Sequence, residues 1–79
     1  MKLPRGVSGR RLSEALVRHW GYVKVHQSGS HIILETEYPS HHRIAIPNHD
    51  AVRIGTLHSI LRSVSNHRRV TREAIVDTL

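Results

Sequence analysis

Three short segments of alternating residues, 22–27, 31–37 and 42–46, follow one another with only Ser28-Gly29-Ser30 and Tyr38-Pro39-Ser40-His41 between them. Connections this short can turn a chain back antiparallel to itself, whereas a parallel neighbour needs a crossover of about a dozen residues. The spacing therefore predicts a three-stranded antiparallel meander, its third strand ended by Pro47.

Helical spacing flanks the meander. Within residues 9–20, Leu12, Ala15, Leu16 and His19 recur on one side while Arg10, Arg11, Glu14 and Arg18 take the other; Ser8 precedes the segment and Gly21 is its natural stop. After a polar loop over 48–54, Gly55-Thr56 opens a second helix. Thr56 is its expected cap, Leu57, Ile60, Leu61 and Val64 its apolar stripe, and Asn66 its expected end. Thr71 can cap a short last helix over 72–78, with Ala74, Ile75 and Leu79 turned inward. Residues 1–7, with Pro4 and Gly6, read as an irregular lead-in. The expected class is α+β in the order α-β-β-β-α with an extra C-terminal helix. A length of 79 residues, 38% of them hydrophobic, supports one modest core and a single domain over 1–79.

Two or three helices can cover one face of such a sheet and must leave the other open. Strict alternation assigns Val23, Val25, Ile32, Leu34, Ile44 and Ile46 to the helices. It assigns Lys24, His26, His31, Arg43 and Ala45 to the open side, together with Ile33.

Charge then bears on function. The net charge is +6, and ten of the twelve basic residues are arginine, whose fork suits phosphate, so the expected partner is polyanionic. No cysteine is present, which removes disulfides, thiolate metal sites and cysteine nucleophiles. No secretory apolar segment follows Met1 and no apolar run approaches the roughly 20 residues that span a bilayer, so a cytoplasmic protein is expected.

Gly29-Ser30-His31 joins a small-residue turn, which a phosphate can approach closely, to an imidazole at a strand start. The plain alternative is a histidine that only hydrogen-bonds in a turn. Ser28 and Ser30 are turn formers first, and no Gly-x-Ser-x-Gly elbow accompanies them. Lys24, His26 and Arg43 suit phosphate binding, or are simply solvated. His41, His42 and His49 invite a metal reading. Adjacent strand residues diverge, however, and no Cys or well-spaced carboxylate completes a set, so neither metal nor other cofactor is expected.

Gly21-Tyr22, Gln27-x-Gly29-Ser30-His31, Ile46-Pro47-x-His49 and Gly55-Thr56-Leu57-x-Ser59-Ile60-Leu61-Arg62 together resemble the HicA family, small mRNA-cleaving toxins of bacterial and archaeal toxin–antitoxin pairs. The likeness spans about residues 8–64. It implies a fold like the double-stranded-RNA-binding domain and metal-free endoribonuclease action by the histidine of Gly-Ser-His, His31 here. It also implies mRNA as substrate and a HicB-like protein antitoxin as partner. In that mechanism His31 takes a ribose 2′-OH proton and the oxygen attacks the adjacent phosphorus. Lys24, His26, Ser28, Gly29, Ser30 and Arg43 would hold the RNA, Arg43 also stabilising charge at phosphorus. His42, His49 or water would protonate the leaving oxygen. His26 stands where relatives often carry Arg, and Ile32 where another histidine or a polar residue is common. The arginine-rich segment 65–79 matches no family motif. Two rival functions remain open: a non-catalytic RNA-binding module on the same sheet, and a DNA-binding regulator using the C-terminal helices in a helix-turn-helix. The 64–71 connection is expected to be too long for the latter.

Overall fold

The computed structural model describes residues 2–79. The elements run α1 (Gly9–His19), β1 (Val23–Gln27), β2 (His31–Thr36), β3 (His42–Pro47), α2 (Ile54–Arg68) and α3 (Arg72–Val76). The strands form one antiparallel sheet in the order β1-β2-β3, the α+β meander that the alternation predicts. Among the described residues no helix is long and apolar enough to cross a membrane.

Local chemistry sets the boundaries of α1. The Ser8 side chain accepts the Arg11 N–H at 3.0 Å, a regular N-cap. At the other end Gly21 takes φ +75°, which lets the Tyr22 N–H turn back to the Leu16 carbonyl. Leu12, Ala15 and Leu16 are buried as their spacing predicts, but His19 is exposed. α2 begins at Ile54, before the expected Thr56 cap, with Arg53 at the N-cap making no side-chain bond. It runs past Asn66 to Arg68 and ends on Arg69 in the left-handed conformation. Thr71 caps α3 by accepting the Ala74 N–H, and α3 stops at Val76 rather than at 78.

One face of the sheet is covered. Ile32, Leu34, Ile44 and Ile46 meet Leu12 and Leu16 of α1 and Leu57, Ile60, Leu61 and Val64 of α2 in one core cluster. Val7, Val52 and Ile75 complete it, so the C-terminal segment closes the core rather than trailing from it. Arg68 shows the same: its guanidinium donates to the Trp20 carbonyl at the end of α1 and lies over the rings of Trp20 and Tyr38. The Trp20 indole N–H in turn donates to Thr78 Oγ1 at 3.1 Å.

β1 departs from the expected alternation. Val23 and Val25, assigned by alternation to the helices, are 61% and 49% exposed, while Tyr22 is buried. The register shifts between Lys24 and His26, so Val25 is the extra residue of a β-bulge. Lys24 pairs with buried Leu34 and therefore lies on the helix side, contrary to the sequence reading. Beyond the bulge His26 pairs with Ile33 on the open side and Gln27 with buried Ile32 on the helix side. Gly21 sets the phase: its positive φ aims the Tyr22 ring at the core, where the larger apolar area goes, and the strand follows from there.

Candidate functional site

On the open face, His31, Ile33 and Glu35 of β2 stand opposite Pro47, Ala45 and Arg43 of β3. His31 is exposed at the end of the face next to the β1–β2 turn. Its Nδ1 lies 3.0 Å from Ser30 Oγ, its backbone N–H donates to Ser28 Oγ at 3.1 Å, and its carbonyl accepts the Ser28 N–H at 3.0 Å. The two serines thus hold His31 at different places: Ser28 pins its backbone and Ser30 touches its ring. Gly29 has nothing within 4 Å of where a Cβ would sit, so the turn is open to a close-lying ligand. The Asn48 N–H donates to the Ser30 carbonyl at 2.9 Å, which holds the 48–49 loop beside the same turn. His49 is exposed there, and its carbonyl accepts the Gly9 N–H at 2.9 Å.

The other sequence-predicted site residues divide. His26, opposite Ile33, is a diagonal neighbour of His31 across β1 and β2. Arg43 is on the open face but lies opposite Glu35, four residues from His31, which is roughly 13 Å along the strand. Its guanidinium donates to Glu35 Oε2 at 3.0 Å. Lys24 is removed from this face altogether. It lines an open cleft of about 850 Å³ between α1 and β1, with Arg10, Arg18, Gln27 and Asn48 on its walls, and donates to Gln27 Oε1 at 2.9 Å.

His41 and His42 part as adjacent strand residues must. His41 is exposed with Nδ1 2.9 Å from Glu37 Oε1, and that carboxylate raises its pKa. His42 turns to the helix side, pairing with buried Thr36, and so is no candidate for the leaving-group acid. Its Nδ1 lies 2.8 Å from the Tyr22 hydroxyl and its Nε2 3.0 Å from Ser63 Oγ, while its ring stacks on His67 at 4.4 Å. Sequence reasoning missed this cluster because its members lie far apart in the chain. Burial first, then the positive neighbours His67 and His41, lower the His42 pKa. Burial also pushes the Tyr22 phenol up to about 12, against an opposing pull from Arg68.

A stability change with pH follows. A histidine whose pKa is lowered on folding stabilises fully above its unfolded value near 6.5, and that contribution is lost as pH falls toward the folded value. His41 has the opposite sign, its contribution being present below about 6.5, but its side chain is exposed and solvent screens it. The urea midpoint is expected to drop as pH falls from 7 to 5, and His42→Asn to flatten that drop. A His42→Asn protein with the wild-type pH slope would show that His42 is not the titrating group.

The helix-turn-helix geometry is partly met. The α2–α3 connection is three residues, 69–71, shorter than the sequence reading allowed. α3, however, has only five residues, and its first, Arg72, is half-buried with a guanidinium nitrogen 3.0 Å from His58 Nε2. The residue that would open a reading helix is engaged within the fold.

Among the described residues no three His, Cys, Asp or Glu side chains converge as metal ligands would. Comparison with curated proteins and with solved structures returns no match. The family model of the HicA toxin of bacterial toxin–antitoxin pairs, by contrast, matches residues 9–65, from the first residue of α1 into the last turn of α2. That stretch is well over half of the chain and contains the whole sheet and the Gly29-Ser30-His31 turn, and on it the chain belongs to the HicA toxin family.

Proposed function

We propose that this toxin is a metal-independent endoribonuclease that cuts mRNA with His31 as general base, and that its antitoxin is a HicB-like protein seated over the open face. The observation that carries the reading is an exposed imidazole on the uncovered face of the sheet, its ring beside Ser30 Oγ and its backbone held by Ser28, at a turn with no side chain at Gly29. When Ser30 Oγ accepts from Nδ1–H, the lone pair sits on Nε2, which is then the ring atom able to take a proton. Nε2 takes the proton of a ribose 2′-OH as that oxygen attacks the adjacent phosphorus, and the P–O5′ bond breaks to leave a 2′,3′-cyclic phosphate and a 5′-OH. The open space at Gly29 suits a phosphate that comes close to the backbone of this turn. Arg43 serves a phosphate further along the strand, and Lys24 with Arg10 and Arg18 attracts the chain from the α1 side. A net charge of +6 suits an antitoxin with an acidic contact surface.

The chemistry requires the 2′-OH as nucleophile, which supplies the test. RNA is expected to be cut in the presence of chelator, with cyclic phosphate ends, and an otherwise identical oligonucleotide with one 2′-deoxy sugar at the cleaved position is expected to stay intact there. Binding without cleavage would make the protein an RNA-binding module. Loss of cutting in chelator, regained with zinc, would replace the histidine mechanism by a metal one.

A further inference from the structure

We infer that His26 is the general acid of the cleavage reaction, paired across the sheet with His31; this rests on the endoribonuclease reading above and names the group that reading leaves open. His26 pairs with Ile33, whose neighbours Ile32 and Leu34 are both buried, so Ile33 and His26 share the open face. Gln27, the next residue, lines the cleft on the helix side, which fixes the same orientation from β1 itself. The bulge at Val25 is what separates Lys24, on the helix side, from His26, on the face that carries His31.

His31 lies two residues before Ile33 on β2, so the two histidines are diagonal cross-strand neighbours, whose stems stand roughly 7–8 Å apart. Both side chains are exposed. An in-line displacement at phosphorus puts the attacking and leaving oxygens on opposite sides, each about 2.6–3.2 Å from the group that moves its proton. Two imidazoles at that separation leave room for one phosphate between them. The remaining charged groups of this face, Glu35 and Arg43, are hydrogen-bonded to each other further along the sheet. On the opposite flank of His31, His49 belongs to the loop after Pro47, held through its own carbonyl by Gly9.

The step balances. His31 Nε2 accepts the 2′-OH proton as the O2′–P bond forms. The P–O5′ bond breaks with its electron pair on O5′, and His26, entering as imidazolium, gives that oxygen its proton. The products are the cyclic phosphate and a 5′-hydroxyl, with the two rings in exchanged protonation states that solvent resets.

The test compares two oligoribonucleotides, one natural and one with sulfur in place of the bridging 5′ oxygen at the scissile phosphate, since a thiolate leaves without being protonated. His26→Ala is expected to slow the natural substrate by about 10²-fold or more and the sulfur substrate by less than about threefold, with loss of the alkaline limb of the pH profile. Equal loss on both substrates, or no loss, overturns the proposal. So does full activity in His26→Arg, which keeps a cation but cannot donate the proton, or a leaving-group dependence that appears with His49→Ala instead. If His31→Ala cuts both substrates at the wild-type rate, it is the endoribonuclease mechanism that fails, a result distinct from any of these.

Discussion

His31→Ala is expected to lower the rate of RNA cleavage by about 10²–10⁴-fold and to leave the urea midpoint within the scatter of the wild-type value. The two halves of that expectation come from the same geometry. The imidazole is exposed and its hydrogen-bond partner is Ser30, so its removal opens no cavity, and the bonds that hold the turn run through the His31 backbone to Ser28. What alanine removes is the lone pair that takes the 2′ proton. Ser30→Ala should cost less, because it frees the ring to rotate without removing it. Cleavage by His31→Ala at an undiminished rate would move the chemistry away from the Gly29-Ser30-His31 turn, and loss of the folded signal would show that the residue is part of the architecture.

The sequence made much of this molecule legible, for a definite reason. β2 and β3 alternate without interruption, so Ile32, Leu34, Ile44 and Ile46 on one side and His31, Ile33, Arg43 and Ala45 on the other could be assigned by period alone. β1 could not, because a bulge is a matter of pairing and leaves no mark in the residues it displaces. One extra residue carried Lys24 into the α1 cleft and left Val23 and Val25 in solvent. Helix ends were misplaced where capping was invoked without a bond, at Thr56 and Asn66, and placed well where one forms, at Ser8 and Thr71. The arginines of 65–79 were opaque for another reason. Whether a guanidinium is solvated or spent within the fold depends on what folds back against it, and Arg68 is spent on the Trp20 carbonyl and Arg72 on the His58 ring.

Gly9→Ala is expected to be the most damaging single substitution in the protein. A Cβ there would sit 1.9 Å from the Pro47 carbonyl oxygen and 2.9 Å from its carbon, with the Asn48 Cα at 3.2 Å. All three are backbone atoms, so no side chain can rotate away and α1 must move off the end of β3. Such a shift strains the bonds that tie the two together, from the Gly9 N–H to the His49 carbonyl and from the Val52 N–H to the Val7 carbonyl, and opens the core at Leu12 and Leu16. Alanine gains about 1 kcal/mol in helix propensity over glycine. Overpacking against rigid backbone should outweigh that by about 3 kcal/mol or more, a large part of the roughly 5–10 kcal/mol available to a domain of this size. The same contact reaches the site, because the loop that Gly9 seats also supplies the Asn48 N–H to the Ser30 carbonyl, one residue from His31. Any Gly9→Ala protein that folds should therefore cut RNA poorly as well as unfold early, the two losses read by a cleavage assay and a urea titration on one preparation. A midpoint within a few tenths of a molar of wild type, with full cleavage, would mean that α1 and the end of β3 do not meet this closely.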